Sequence, residues 1–253
     1  MIRLDVALRQ WGLAPSRAKA QELLREGAVE IHTAQGWRIC QDESQLVEEN
    51  AQEKVRLCAT DAIEFVSRGG RKLAGVLDQL QLNVQNLTVL DVGISTGGFS
   101  DCLLQRGVQQ IIGVDVGHDQ LAAKLKDESR LKFFDGINAR ELRKATMLQP
   151  WLKAGFDLVV IDVSFISLEV ILPEVHDFIR PGGALLALVK PQFEVSHAEH
   201  NRRGIVTDLA LHSEVGDKIK QLAQKLNLQV MDYRACTLTG QDGNQEYFLY
   251  ARK

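Results

Sequence analysis

From Leu87 onward the chain alternates short apolar runs with longer amphipathic ones, and this alternation limits the possible folds more than any other feature. The runs "LTVLDVG", "QIIGVDV", "LKFFDGI", "FDLVVIDV" and "ALLALVK" read as strands. The runs "FSDCLLQRG", "HDQLAAKLK", "SLEVILPEVHDFI" and the long "DLALHSEVGDKIKQLAQKLN" read as helices, and Pro181-Gly182-Gly183 as a turn. Two last strands, near "LQVMDYRAC" and "QEYFLYAR", close the chain. Strands this apolar need cover on both faces, and the intervening helices supply it. The expectation is an α/β fold: a parallel sheet with helices on both sides.

In open parallel sheets, ligands sit beyond the carboxyl ends of the strands. Here those ends carry Asp91, Asp115, Asp135, Asp162 and Lys190. One aspartate at a strand end is an ordinary turn residue. Five ionisable groups on one rim, four of them acids, call for a cationic or hydroxyl-rich ligand to relieve their repulsion. The loop "DVGISTGGFS" follows the first of these strands, and Gly93, Gly97 and Gly98 let its backbone approach a ligand. Its spacing is not the G-x-G-x-x-G of a pyrophosphate cradle, because Ser95 stands where the second glycine would be. Asp91 suits a ligand's amino group and Asp115 its ribose hydroxyls. An amino acid, a ribose and an adenine without phosphates make S-adenosylmethionine; the loop alone leaves an NAD-dependent enzyme open. Glu246 precedes "YFLYAR" and reaches the same rim if that strand runs antiparallel. Lys72 begins "KLAGVLDQLQL", a helix expected to start there too. Lys72, Asp162, Lys190 and Glu246 can then converge.

The chain upstream is different in kind. "RLDVALRQWGLAPSRAKAQELLREGAVEIH" predicts two helices, the first stopped by Gly12, the second capped by Ser16 and ended by Gly27, then a strand. Six Arg/Lys against four acids over Met1–Arg38, followed by five acids and no base over Asp42–Glu53, mark a separate small module. The 253 residues leave room for it beside one large domain. The net charge of −3 gives no global nucleic-acid signature, so any such surface is local. Cys40, Cys58, Cys102 and Cys236 form no C-x-x-C pair, so thiols in a reducing compartment are expected rather than a metal site. No basic segment leads into an apolar core at the start, and no apolar run approaches the roughly 18–20 residues that cross a bilayer. The expectation is a soluble cytoplasmic protein with no membrane partner.

The head resembles the ribosomal-protein-S4-like RNA-binding domain at Arg3-Leu4-Asp5, Gly12, Ser16-Arg17, Ala20, Leu23 and Gly27-x-Val29. That resemblance implies RNA contacts from Arg3, Arg17 and Lys19. The whole chain resembles the TlyA family of ribosomal RNA 2′-O-methyltransferases, built on an FtsJ-like methyltransferase domain. The matching runs are "SRGGRKL", "DVGISTGGFSDCLLQ", "GVDVGHDQL", "NAR" at 138–140, "DVSFISL", "LVKPQFE" and "GNQEYF". The chain departs from the family's usual residues at Ile94, at Asp135-Gly136-Ile137 and at Cys236-Thr237-Leu238.

The resemblance implies a Rossmann-like S-adenosylmethionine-dependent methyltransferase fold with a small N-terminal α+β S4-like RNA-binding domain. The boundaries expected are 1–60 for the S4-like domain, 61–72 for a linker and 73–253 for the methyltransferase domain. It implies a catalytic tetrad of Lys72, Asp162, Lys190 and Glu246 around the target ribose. Cofactor contacts are expected from Asp91, Gly93, Ser95, Thr96, Gly97, Gly98, Asp115, Val116, Asp135, Asn138 and Asp162. Arg68, Arg71, Arg202 and Arg203 would add phosphate contacts to those of the head. The implied substrate is a cytidine of ribosomal RNA, free or in a ribosomal subunit. Lys190 is the candidate general base, Asp162 its orienter, and Glu246 the residue that fixes Lys72 or the ribose. Two other readings compete: a non-catalytic RNA-binding or ribosome-assembly factor, and a haemolysin-like membrane-active protein.

Overall fold

The structure is a computed structural model and describes residues 1–33, 35–58, 64–196, 201, 204–240 and 243–253. Arg202 and Arg203 lie outside the described residues.

The head forms as its pattern predicts. Strand β1 (Ile2–Arg3) leads into helices α1 (Leu4–Gln10) and α2 (Arg17–Arg25). Gly12 and Gly27 take φ of +72° and +71°, which ends each helix without a Cβ penalty. Ser16 caps α2 by accepting the Lys19 N–H at 3.1 Å. Strands β2 (Val29–Thr33), β3 (Gly36–Ile39), β4 (Leu46–Val47) and β5 (Val55–Leu57) follow. β3, β2 and β5 form an antiparallel sheet in that order, and β1 pairs with β4. Leu4, Leu8, Ala20, Leu23, Leu24, Val29 and Val55 make a core separate from the rest of the molecule.

The large unit begins with α3 (Arg68–Gln79), four residues earlier than the sequence suggests. Ser67 is extended before it, and Gly69 and Gly70 sit in its first turn. Gly70 serves packing: a Cβ there would meet Phe65 at 2.5 Å and the Gly98 carbonyl oxygen at 2.8 Å. α3 thus begins inside the stretch expected as a linker, and Lys72 lies in its second turn.

The remaining strands are β6 (Thr88–Val92), β7 (Gln110–Val114), β8 (Leu131–Phe134), β9 (Phe156–Ile161), β10 (Ile179–Val189), β11 (Gln229–Ala235) and β12 (Tyr247–Arg252). They form one seven-stranded sheet in the order β11-β12-β10-β9-β6-β7-β8. β6 to β10 run parallel; β12 is antiparallel to β10, the condition for Glu246 to reach the rim, and β11 is antiparallel to β12. The predicted turn at Pro181-Gly182-Gly183 breaks the β9–β10 register between Ile179 and Ala184. Consecutive strand residues face opposite cores. Leu90, Val92, Val159, Ile161, Leu185 and Ala187 pack with α6 (Gln149–Ala154), α7 (Leu168–Val175) and α9 (Leu209–Lys225). Val89, Leu158, Val160, Leu186 and Leu188 pack with α3 and α4 (Gly98–Gln105). Near-continuous apolar runs are what a sheet covered on both faces requires.

One predicted helix contracts. "HDQLAAKLK" gives only α5 (Ala123–Lys126). The segment before it instead folds over the glycine loop: Asp119 takes φ +55°, Gln120 accepts the Ser95 hydroxyl, and the Ala122 N–H reaches the Thr96 carbonyl. A short helix, α8 (Pro191–Glu194), follows β10 directly.

Asp5 fixes the head's first helix to its second. Its fully buried carboxylate accepts from Arg3, Arg17 and Gln21. Burial pushes this carboxyl up, and the three donors outweigh it and hold it well below the usual carboxylate range. A lowered native value means its contribution is complete above the ordinary aspartate value and is lost as the pH falls toward the native one. Asp5→Ala should cost about 1–2 kcal/mol, discounted because both arginines are half-exposed. It should also remove that acid-dependent part of the head's stability. Urea titrations at neutral and acid pH check this; a variant that loses stability in parallel with wild type on acidification would refute it.

Candidate active site

Strand order reverses between β6 and β9, which is where open α/β sheets leave a crevice. The rim residues stand around it. Asp91 lies within the last turn of pleat of β6; Asp115, Asp135, Asp162 and Lys190 directly follow β7, β8, β9 and β10. Glu246 directly precedes β12 and so joins the same rim.

Each acid meets a different environment. Asp115 accepts the Ser95 N–H at 2.8 Å and the Gly117 N–H at 2.7 Å, which holds the glycine loop in place. Asp91 is fully buried; one oxygen accepts the Ser100 hydroxyl at 2.7 Å and the other has no partner. Burial pushes the Asp91 carboxyl up to about 7, the Ser100 hydrogen bond pulls it down, and the charges of Asp162 and Asp115 add to the rise. Asp135 is exposed beside His118 at 3.4 Å.

Two cavities open at this rim. The first, about 530 Å³, is lined by Gly93, Ser95, Asp115, Val116, Asn138 and Asp162 among others. The second, about 440 Å³, is lined by Lys72, Asp162, Lys190 and Glu246, with Thr96 and Gly98. Gly93, Ser95, Asp162, Ser164 and Phe165 belong to both, so the cavities meet at Asp162. In the second, Lys72 Nζ lies 2.6 Å from Glu246 Oε2, and both side chains are buried. Lys190 Nζ lies 2.7 Å from Asp162 Oδ1, an ion pair off the line of a hydrogen bond, and donates to Ser164 Oγ at 2.9 Å. The four residues named from the sequence therefore form two ammonium–carboxylate pairs on one wall system. Ser164 was not singled out in the sequence, although it stands inside "DVSFISL".

Several expected contacts fall elsewhere. Asp135 points to His118 and solvent and does not line either cavity. Asp91 is sealed behind the loop by Ser100. Gly97, at φ +92°, makes room for Leu125 rather than for a ligand, since a Cβ there would meet Leu125 at 2.3 Å. Among the expected RNA contacts, Arg3 and Arg17 are half-exposed and paired with Asp5. Lys19 is buried, bonded to Glu22 at 2.9 Å and to the Phe65 carbonyl at 3.1 Å. Arg68 and Arg71 turn toward Glu26 of the head, at 3.6 and 2.9 Å. These three cations serve the junction of the two units because buried or half-buried acids face them there. Ser16, Lys19 and Glu22 also form part of the second cavity's wall.

A family profile for FtsJ-like methyltransferases matches residues 65–253, and one for the S4 domain matches residues 2–52. A Mycobacterium tuberculosis protein named 16S/23S rRNA (cytidine-2′-O)-methyltransferase TlyA is 36% identical over 250 residues, 99% of this chain and 89% of that one. The chain belongs to the TlyA family of FtsJ-like methyltransferases. Another relative, Hemolysin A of Brachyspira hyodysenteriae, is 29% identical over 98% of this chain and 99% of its own. A solved structure from Streptococcus thermophilus, provisionally named a hemolysin, has a TM-score of 0.74 at 30% identity, covering 99% of this chain and 88% of that one.

Within this TlyA-family chain, the departure at Ile94 is accommodated locally. Ile94 is buried against Gly113 of β7, where a Cβ would meet its Cδ1 at 2.5 Å. The larger residue in the loop is matched by the missing side chain on the neighbouring strand.

Asp91 gives a pH signature. With its native value raised, the folded protein keeps a proton that the unfolded chain has released. Its contribution is complete below the ordinary aspartate value and declines as pH rises to about 7. Asp91→Asn should remove this slope, up to about 1.4 kcal/mol per pH unit. Urea unfolding at pH 5, 6, 7 and 8 measures it: the wild-type advantage over the variant should shrink up to pH 7 and then level off. Parallel curves would show that Asp91 does not hold the proton.

Proposed function

We propose that this methyltransferase transfers a methyl group from S-adenosylmethionine to the 2′-hydroxyl of a cytidine ribose in ribosomal RNA. The observation that carries this reading is the meeting of two cavities at Asp162, one edged by a carboxylate-ordered glycine loop, the other by two ammonium–carboxylate pairs, one buried and one partly buried.

The first cavity suits the cofactor by the chemistry of its donors. It offers the carboxylates of Asp115 and Asp162, the Asn138 amide, and apolar surface from Val116, Ile137 and Phe165, with no basic cradle for a pyrophosphate beyond Arg140. Asp115 and Asn138 would hold hydroxyl and amino groups, and the apolar residues an aromatic base. When bound there, S-adenosylmethionine supplies an electrophilic methyl group on a sulfonium.

A ribose 2′-hydroxyl is a weak nucleophile and must lose its proton as it attacks. Lys190 Nζ is the base, and for that it must first be a neutral amine. Asp162 and Ser164 fix its position, and Asp162, standing at both cavities, would place a negative charge near a cationic methyl donor bound there. Glu246 orients Lys72, whose ammonium would meet the ribose in the second cavity. The remaining acceleration comes from holding hydroxyl and methyl in line.

The head, residues 1–60, is the RNA-binding unit in this reading, with Arg3 and Arg17 among its accessible cations. Ribosomal subunits are the proposed partner and the cytoplasm the proposed location. No helix among the described residues is long and apolar enough to cross a membrane.

Labelled S-adenosylmethionine with ribosomal RNA or subunits lacking the modification tests this reading. Label should appear on a 2′-oxygen of cytidine. Lys190→Ala should lower kcat by about 10²–10⁴-fold with RNA binding retained. Lys72→Ala should also abolish transfer, and far more than Arg71→Ala does. RNA binding without transfer would favour an assembly factor, and liposome leakage without transfer a membrane-active protein. Equal losses at Lys72 and Arg71 would mean that this stretch only joins the units or binds RNA.

A further inference from the structure

Glu194 ends α8, four residues after Lys190, and its side chain is 1% exposed. It lines neither cavity. Burying a carboxylate is costly unless hydrogen bonds satisfy it, and here they run to one place. Oε1 accepts the Leu168 N–H at 2.8 Å, and Oε2 accepts the Ser167 hydroxyl. Ser167 is the N-cap of α7, and Leu168 is its first residue. Lys218 of α9 adds a third anchor: it donates to the Glu194 carbonyl oxygen at 2.9 Å and stands 3.8 Å from Oε2 and 3.0 Å from Glu169.

The loop after β9 runs from Asp162 through Ser164 to Ser167. It contains Phe165 at φ +63°, a conformation a side chain rarely adopts unaided. The loop's near end is held by the Asp162 N–H on the Val92 carbonyl at 3.0 Å. Its far end is held by Glu194. Between them, Lys190 contacts Asp162 and Ser164. The loops after β9 and β10 are thus tied twice, once by Lys190 and once by Glu194, one helical turn apart.

We infer that Glu194 is a positioning residue for methyl transfer, which locks the loop after β9 to the loop after β10 and so holds Lys190 in register with Asp162 and Ser164. This rests on Lys190 being the base. A carboxylate does this better than an apolar residue, because it accepts from a backbone N–H and a hydroxyl at once. Gln retains both contacts: its amide oxygen accepts from Leu168 and its amide nitrogen donates to Ser167.

The experiment compares Glu194→Ala, Glu194→Gln, Ser167→Ala and the Glu194→Ala/Ser167→Ala double variant by steady-state methyl transfer. Alongside it, acetylation of each lysine is followed by peptide mass spectrometry. Glu194→Ala should lower kcat by about 10–100-fold, the size expected of an ångström-scale misplacement, with KM for RNA and cofactor near wild type. Glu194→Gln should restore most of the loss. Ser167→Ala should reproduce part of it, and the loss in the double variant should be smaller than the product of the two single losses, because the changes share the Glu194–Ser167 contact while Ser167→Ala also removes the α7 cap. Lys190 should acetylate faster in Glu194→Ala, with Lys72 unchanged. Ser167→Ala removes only a hydroxyl and carries the same test if the larger change does not fold. Wild-type kcat and Lys190 reactivity in Glu194→Ala would overturn the inference. So would a kcat loss in both Ala and Gln that only follows a loss of melting temperature. If the wild-type protein transfers no methyl, the proposed function fails, and Lys190 acetylation decides the positioning role by itself.

Discussion

Two backbone segments pass unusually close at the centre of this molecule, and the site depends on it. Gly93 takes φ +84°, and a Cβ there would meet the Asp162 carbonyl oxygen at 2.6 Å. The approach occurs where strand order reverses between β6 and β9. It leaves Asp162 as a shared wall of two cavities rather than a member of one. Any side chain at Gly93 would push apart the ends of β6 and β9, and both cavities would change together. The loop after Gly93 is set by the same region: Ser95 holds φ +48° because its N–H is tied to the Asp115 carboxylate. The geometry of both cavities therefore follows from sheet topology plus one residue without a side chain.

Charge at the rim is balanced locally, and by different means. Backbone N–H groups answer Asp115, lysines answer Asp162 and Glu246, and burial pushes Asp91 up to about 7 against the pull of its Ser100 hydrogen bond. Buried ion pairs are poor sources of stability, since desolvation offsets most of their attraction. The two lysine–carboxylate pairs are better explained by where they hold ammonium groups than by what they add to folding. Their small exposure strengthens each interaction and also makes each position sensitive to a partner's loss.

Much of this was legible before any coordinates. The alternation of short apolar runs with amphipathic ones placed every strand of the large sheet, and the ends of those strands identified the rim. What sequence could not supply was the direction in which polar side chains turn once two surfaces meet. Lys19, Arg68 and Arg71 read as solvent-facing cations, yet Glu22, Glu26 and the Phe65 carbonyl claim them. The stretch 61–72 read as a linker, yet Gly70 within it is packed against Phe65 and Gly98. Helix propensity was overridden in "HDQLAAKLK" because the glycine loop needed hydrogen-bond partners from that segment. Asp135 matched the rim pattern by position, but the neighbouring His118 and solvent took its side chain. Glu194 sat in a recognised run with no assigned task, since nothing in sequence shows that it meets the start of α7.

The junction between head and large unit follows from the same local claims. Asp101, buried in α4, accepts the Val66 N–H at 2.8 Å and pairs with Lys124 at 2.9 Å. Lys19 reaches the Phe65 carbonyl from the head side, and Phe65 packs against Gly70. The chain at 65–66 is thus pinned from both units, immediately before α3. Glu26 adds a second link, to Arg68 and Arg71 in the first turn of that helix. Lys72 follows Arg71 directly and meets Glu246 across the cavity. A head that shifted would carry the first turn of α3 with it, and Lys72 with that turn. Ser16, Lys19 and Glu22 wall the cavity in which Lys72 and Lys190 stand. The placement of the head and the geometry of the lysines are therefore mechanically one problem, solved by a few buried contacts around Phe65.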